Sequence, residues 1–145
     1  MIPSNIYQII KFQVLVNVLV VGSGGREHSI GWKLGQSNNV NTVFYAPGNG
    51  GTLNNVQISV DDLDGLANFA SENNCFTVVG PEAPLAMGIV DMFNEMGLKI
   101  FGPTKEAAQL ESSKIWAKQF LKRNNISTTS FEVFDDAVKA KEYVN

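Results

Sequence analysis

Three glycine-bearing loops follow short apolar runs in the first hundred residues: Gly22-Ser23-Gly24-Gly25-Arg26-Glu27-His28, Pro47-Gly48-Asn49-Gly50-Gly51 and Gly80-Pro81-Glu82-Ala83-Pro84-Leu85. This repetition limits the chain to few folds, because an open α/β sheet gathers its ligand site on the loops at the carboxyl ends of its strands. The first loop is the sharpest of the three. Val18-Leu19-Val20-Val21 has the unbroken apolar character of a strand buried on both faces. The glycines after it allow a tight turn that brings backbone amides against an anion at the start of a helix.

The alternation continues along the chain. Apolar runs at 18–21, 42–46, 76–79 and 99–101 predict strands, the first extending back to Val14. Residues 27–36 place Ile30 and Leu34 on one helical face, and residues 62–73 group Leu63, Leu66, Ala67 and Ala70 behind an Asp62 cap. A third helix is expected over 85–96, with Ile89, Met92 and Phe93 inward and Gly97 as its stop. The fold class that follows is α/β, a Rossmann-like parallel sheet flanked by helices.

Beyond Gly102-Pro103-Thr104 the pattern changes. A short helix is expected over 105–110, a helix over 114–124 capped by Ser112-Ser113, a strand over 127–134, and a last helix capped by Asp135. That helix runs to Asn145 without a stop signal, so the expectation is a fragment of a longer protein. Its divisions would be an N-terminal extension over 1–13, an α/β domain over 14–103, and over 104–145 a linker with the truncated start of a second domain.

Composition narrows the classes of partner. A length of 145 residues with 44% hydrophobic and 17% charged residues suits one globular core. A net charge of -3, with no cluster of Lys and Arg, argues against nucleic acid as a partner. Residues 9–21 are mostly apolar, but Lys11, Gln13 and Asn17 interrupt them, and they fall short of the roughly 18 apolar residues of a spanning helix. A membrane or export signal is therefore not expected. The single cysteine, Cys75, has no partner for an internal disulfide and leads into an apolar strand, as a small buried hydrophobe would in a reducing, cytoplasmic setting.

Each loop carries a specific set of polar groups. The first departs from the dinucleotide pattern G-x-G-x-x-G, since Glu27 holds the place of the third glycine, and no acidic residue ends the second strand to hold a ribose. Arg26 can pair with a phosphate or with a neighbouring carboxylate, while Glu27 suits the positive end of a helix. His28 is the only histidine, which leaves no histidine pair for a metal and no Ser-His catalysis; it either packs and caps or donates to a ligand oxygen. Gly48, Asn49 and Gly50 offer amides that can wrap a phosphate or ribose, or form a loose connection. Glu82, between Pro81 and Pro84, either binds sugar hydroxyls or an amine, or complements the dipole of the next helix.

Taken in order with Phe101-Gly102-Pro103-Thr104-Lys105-Glu106-Ala107-Ala108-Gln109-Leu110-Glu111, the loops resemble one family closely: the phosphoribosylamine–glycine ligases, or glycinamide ribonucleotide synthetases, of the ATP-grasp superfamily. The family pattern runs V-L-V-V-G-S-G-G-R-E-H, A-P-G-N-G-G-T, G-P-E-x-P-L and F-G-P-T-x-x-A-A-x-L-E-x-S-K, and it covers residues 17–145 here. Ser29 stands where alanine is usual, and the N-terminal extension lies outside the pattern.

The resemblance implies a pre-ATP-grasp N-terminal domain followed by the start of an ATP-grasp domain. It implies ATP-driven, magnesium-dependent joining of glycine to 5-phosphoribosylamine in purine biosynthesis, through a glycyl phosphate. On the same ground Gly24, Gly25, Arg26, Gly48, Asn49, Gly50, Pro81 and Glu82 would line the phosphoribosylamine side. Lys114 would reach nucleotide phosphate, although a lysine after a serine cap is also ordinary helix chemistry. No catalytic residue and no metal ligand is expected within these residues. ATP and magnesium would be bound mainly elsewhere, and the fragment alone would be an inactive, monomeric piece. The alternatives are a non-catalytic ribose-phosphate-binding module and another ATP-grasp carboxylate–amine ligase.

Overall fold

A computed structural model describes residues 15–144. The expected extension over 1–13, Val14 and Asn145 lie outside the described residues. Four strands, β1 (Val16–Gly22), β2 (Val40–Pro47), β3 (Cys75–Val79) and β4 (Lys99–Phe101), form one parallel sheet in the order β2-β1-β3-β4. The central strand β1 is paired on both edges and covered on both faces, which is why its sequence is a continuous apolar run and not an alternation.

Helices cross between the strands on opposite faces. α1 (Gly25–Leu34) joins β1 to β2 and packs Leu34 against Val18, Val20 and Tyr45. α2 (Leu63–Glu72) leads to β3, which lies on the other side of β1, and buries Leu66, Ala67 and Ala70 against Leu19, Val21 and Ala46. Asp62 caps α2 by accepting the Gly65 N–H at 2.9 Å, as its sequence position predicts. Fully buried Phe93 adds the largest side chain to that second core, and its truncation to alanine would cost about 3–5 kcal/mol.

The expected helix over 85–96 is two helices, α3 (Glu82–Met87) and α4 (Ile89–Glu95). Gly88 separates them with φ of 100°, a left-handed conformation in which an α-helix cannot continue. Its N–H closes α3 onto the carbonyls of Pro84 and Leu85, at 3.1 and 3.0 Å. The aperiodic start at Glu82 matters for the site, since it puts that carboxylate in the first turn.

Beyond β4, α5 (Lys105–Ser112) and α6 (Lys114–Arg123) follow, with Thr104 and Ser113 as their caps. α7 (Ala137–Val144) is preceded by Asp136, whose carboxylate accepts the Val138 N–H at 2.6 Å, so the cap is Asp136 and not Asp135. The expected strand over 127–134 does not form. A strand needs a ladder partner for its amides, and no such ladder occurs there among the described residues. Instead the Lys118 ammonium donates to Thr128 Oγ1, to Thr129 Oγ1 and to the Thr129 carbonyl, at 2.7, 2.6 and 3.1 Å.

Candidate functional site

The chain reverses direction across the sheet between β1 and β3, because β2 lies on one side of β1 and β3 on the other. A parallel sheet leaves a crevice at such a switch point, outside the carboxyl ends of the strands. All three glycine loops leave the sheet at this edge. Backbone bonds tie them together: the Gly48 N–H donates to the Gly22 carbonyl at 3.2 Å, and the Gly80 N–H to the Val21 carbonyl at 3.1 Å. The Asn49 side-chain amide donates to the Ser23 carbonyl at 2.8 Å, which joins the second loop to the first.

In the first loop, Gly24 is the N-cap of α1 and Gly25 its first residue. A glycine cap has no side chain to accept a hydrogen bond, so the N-terminus is held from the other direction. Glu27 Oε2 accepts the Gly24 N–H at 2.8 Å, which is the return half of a capping box. The first turn of a helix leaves further N–H groups without helical partners, those of Gly25 and Arg26 among them. A Cβ built on Gly25 would meet no atom within 4 Å.

Arg26 extends over this turn with its side chain 56% exposed. Its Nε donates to Glu27 Oε1 at 2.8 Å, and its Nη2 lies 4.0 Å from Glu82 Oε2. The hydrogen bond to Glu27, and then that residue's charge, raise the Arg26 guanidinium above its ordinary value. Burial by itself would push the Glu27 carboxyl up. The Arg26 side-chain bond, the Gly24 N–H and the Arg26 charge outweigh it and hold Glu27 below the usual carboxylate range.

The second loop is an ordered turn and not a loose connection. Thr52 Oγ1 accepts the Asn49 N–H at 2.7 Å and lies 2.6 Å from Asn55 Oδ1, while Asn49 Oδ1 accepts the Gly51 N–H at 2.8 Å. Gly48 has φ of 73°, and a Cβ there would run into Asn55. Gly50, in contrast, faces open space. In the third loop Pro81 is the cap of α3 and Glu82 its first residue, so Glu82 does lie where it complements the helix dipole. It is also exposed toward Arg26.

The loops thus bring Gly24, Gly25, Arg26, Gly48, Asn49, Gly50, Pro81 and Glu82 to one edge of the sheet. Lys114 is not joined to them. It starts α6, exposed, and among the described residues no hydrogen bond or ion pair links it to the three loops. His28 is half-buried and packs against Gly51, where an added Cβ would lie 2.8 Å from its ring. That is the packing role of its two sequence readings.

Sequence reasoning missed the centre of the arrangement. Glu27, assigned only to the helix dipole, is 4% exposed and lies against Gly22, Gly24 and Gly80. The signal was available, since a glutamate three residues after the cap is the capping-box spacing. Of the two residues that fix the second loop, Thr52 closed the A-P-G-N-G-G-T pattern without a role assigned to it, and Asn55 carried no local signal. Among the described residues no group of three His, Cys, Asp or Glu could hold a metal ion, and no helix is long and apolar enough to cross a membrane.

Comparisons with known proteins bear on these loops directly. Over residues 16–111, which include all three, the chain matches the family model described as Phosphoribosylglycinamide synthetase, N domain. It is 53% identical over 135 residues to the phosphoribosylamine–glycine ligase of Vibrio vulnificus (strain YJ016), covering 89% of this chain and 32% of that protein. It is 54% identical over 136 residues to the enzyme of the same name from Ralstonia nicotianae, covering 90% and 32%. The chain spans about a third of the length of the curated relatives it matches. In fold it is similar to the crystal structure of N5-carboxyaminoimidazole ribonucleotide synthetase from Thermotoga maritima, with a TM-score of 0.63, 15% identity, and coverage of 89% of this chain and 36% of that one. With the motif order, the parallel sheet and the family match in agreement, this chain belongs to the phosphoribosylglycinamide synthetase N-domain family.

Proposed function

We propose that this chain forms the sugar-phosphate side of an ATP-dependent ligase that joins glycine to 5-phosphoribosylamine, giving glycinamide ribonucleotide in purine biosynthesis. The observation that carries the reading is the family match across residues 16–111, all three loops included. The geometry supports it in a specific way. The Gly25 and Arg26 N–H groups, at the positive end of α1, and the Arg26 guanidinium offer an anion site. Asn49, Gly48 and Gly50 border it from the second loop, and Glu82 adds a carboxylate acceptor for a hydroxyl or an amine. These groups bind and orient; none is a nucleophile.

In the same reading residues 14–103 are the substrate-side domain, and residues 104–145 are the linker and first part of an ATP-grasp domain in which Lys114 meets nucleotide phosphate. ATP, when bound, would supply the phosphoryl group that activates the glycine carboxylate. In this reading ATP and magnesium are bound mainly by groups outside these residues. The working enzyme is read as cytoplasmic and monomeric, and these 145 residues as inactive by themselves.

The test is a chimera in which this chain replaces the matching third of the Vibrio vulnificus ligase. ATP-dependent formation of glycinamide ribonucleotide by the chimera supports the reading. A chimera that melts cooperatively and binds ATP but makes no product overturns it.

A further inference from the structure

Glu27 is the only charged side chain buried among the described residues, and its surroundings explain why three separate glycines occur on two loops. A Cβ on Gly22 or on Gly80 would run into the Glu27 side chain, and one on Gly24 would lie 2.7 Å from Glu27 Oε2. The carboxylate therefore fills the crevice between the carboxyl ends of β1 and β3, with the glycines cut back around it. Its two oxygens are divided between different partners. Oε2 holds the Gly24 N–H, and Oε1 holds Arg26 Nε, both at 2.8 Å.

This division has a chemical consequence. An arginine anchored through Nε keeps both terminal nitrogens for a second acceptor, with its fork held in one orientation. At the same time the cap N–H is consumed, which leaves Gly25 and Arg26 to supply the amides at the mouth. A carboxamide in the same place could not do the same, since its NH2 group would replace one of the two accepting oxygens and set a donor against either the Gly24 N–H or Arg26 Nε.

We infer that Glu27 is a positioning residue for the sugar-phosphate site: buried behind the loop, it acts through Arg26, holding that guanidinium in the orientation that meets the anion. This rests on the reading of the loops as a sugar-phosphate site. It also states why a chain would keep an ionised carboxylate under three glycines beside a site for an anion. The negative charge of Glu27 is met by Arg26 Nε and Gly24, so the terminal nitrogens of Arg26 remain available.

The experiment uses the 145-residue chain labelled with nitrogen-15 and titrated with ribose 5-phosphate, following the Gly25 and Arg26 amides and the Arg26 Nε–H resonance. The wild-type chain is expected to give saturable shifts at all three. Glu27→Gln and Arg26→Met should each weaken binding about tenfold or more, and the double variant should be no weaker than Arg26→Met alone. Arg26→Lys leaves the buried carboxylate in place and keeps the charge but has no Nε to anchor. It should bind as poorly as Arg26→Met. Wild-type affinity in Arg26→Lys, or losses that multiply in the double variant, would overturn the positioning role while leaving the sugar-phosphate reading intact. Absence of any wild-type shift overturns that reading, and the inference falls with it.

Discussion

Arg26 Nη2 lies 4.0 Å from Glu82 Oε2, a contact that carries the first glycine loop across the sheet edge to the third. Both side chains are more than half exposed, so the pair is screened by water and salt and adds little to folding. Its value is in placement: a cation and an acceptor are held side by side above the amides of α1. Glu82→Gln is expected to leave the melting temperature of the chain within a degree or so of wild type. Ribose 5-phosphate binding, measured by calorimetry, should weaken in the same variant, and unchanged binding would remove Glu82 from the site.

Two glycines separate the folding role of the loops from their binding role. Gly25 has no atom within 4 Å of an added Cβ, and its backbone is not left-handed, so Gly25→Ala should keep or raise stability by about 0.4–1 kcal/mol. The new methyl would occupy the anion site, and ribose 5-phosphate affinity should fall. Gly80→Ala does the reverse in order, since its Cβ meets Glu27 and must displace a buried carboxylate. A stability loss of about 1–3 kcal/mol in urea titration is expected there. Equal stability of the two variants would contradict the packing around Glu27.

Thr77 is fully buried in β3, opposite Leu19 and Ile100, and its hydroxyl has no partner among the described residues. Its neighbours in the same strand, Cys75 and Val79, belong to the core beneath α2 and α4. Thr77→Val replaces the hydroxyl by a methyl of similar size and relieves the unmet desolvation. An increase in stability of about 1 kcal/mol is expected by denaturant unfolding. A loss would mean that the hydroxyl finds an acceptor in solution.

The sheet was legible because its signals are local. Val18 to Val21 and Phe76 to Val79 announce buried strands by composition, and Asp62 announces a helix start by its own side chain. Where the sequence misled, the deciding factor was not local. Residues 127–134 have strand composition, yet no strand of the sheet pairs with them; Ile89 and Phe93 have helical spacing with Leu85, yet Gly88 adopts φ of 100° between them. The site divides in the same way. The glycines were visible as a turn, but that Gly22 and Gly80 face one carboxylate depends on the packing of β1 beside β3.

Cys75 is 4% exposed, and burial pushes its thiol up to about 11. The thiolate is the reactive form, so a thiol reagent at pH 8 should modify the native chain far more slowly than the urea-unfolded chain. The raised value also sets a direction for stability. The contribution is fully present below the unfolded thiol's value of about 8.5 and is lost as pH rises toward the folded value. Cys75→Ala should flatten that alkaline decline, and rapid native-state labelling would contradict the burial.

Glu27 makes the opposite prediction at acid pH. Its carboxyl is held below the ordinary range by Arg26 and the Gly24 N–H, so the folded chain binds its proton less readily than the unfolded chain. The stabilisation is therefore present above the unfolded value of about 4.3 and disappears as pH falls through the lower folded value. Asp61 is also held low, by the Ser59 hydroxyl, so the acid decline of the wild-type chain is shared. Comparing wild type with Glu27→Gln isolates the buried group, since the variant has no proton to take up at that position. Urea unfolding between pH 6 and pH 3 should show a gap that is widest at pH 6 and narrows toward pH 3. A gap that stays constant over that range would mean that Glu27 acts through its shape and not through its charge.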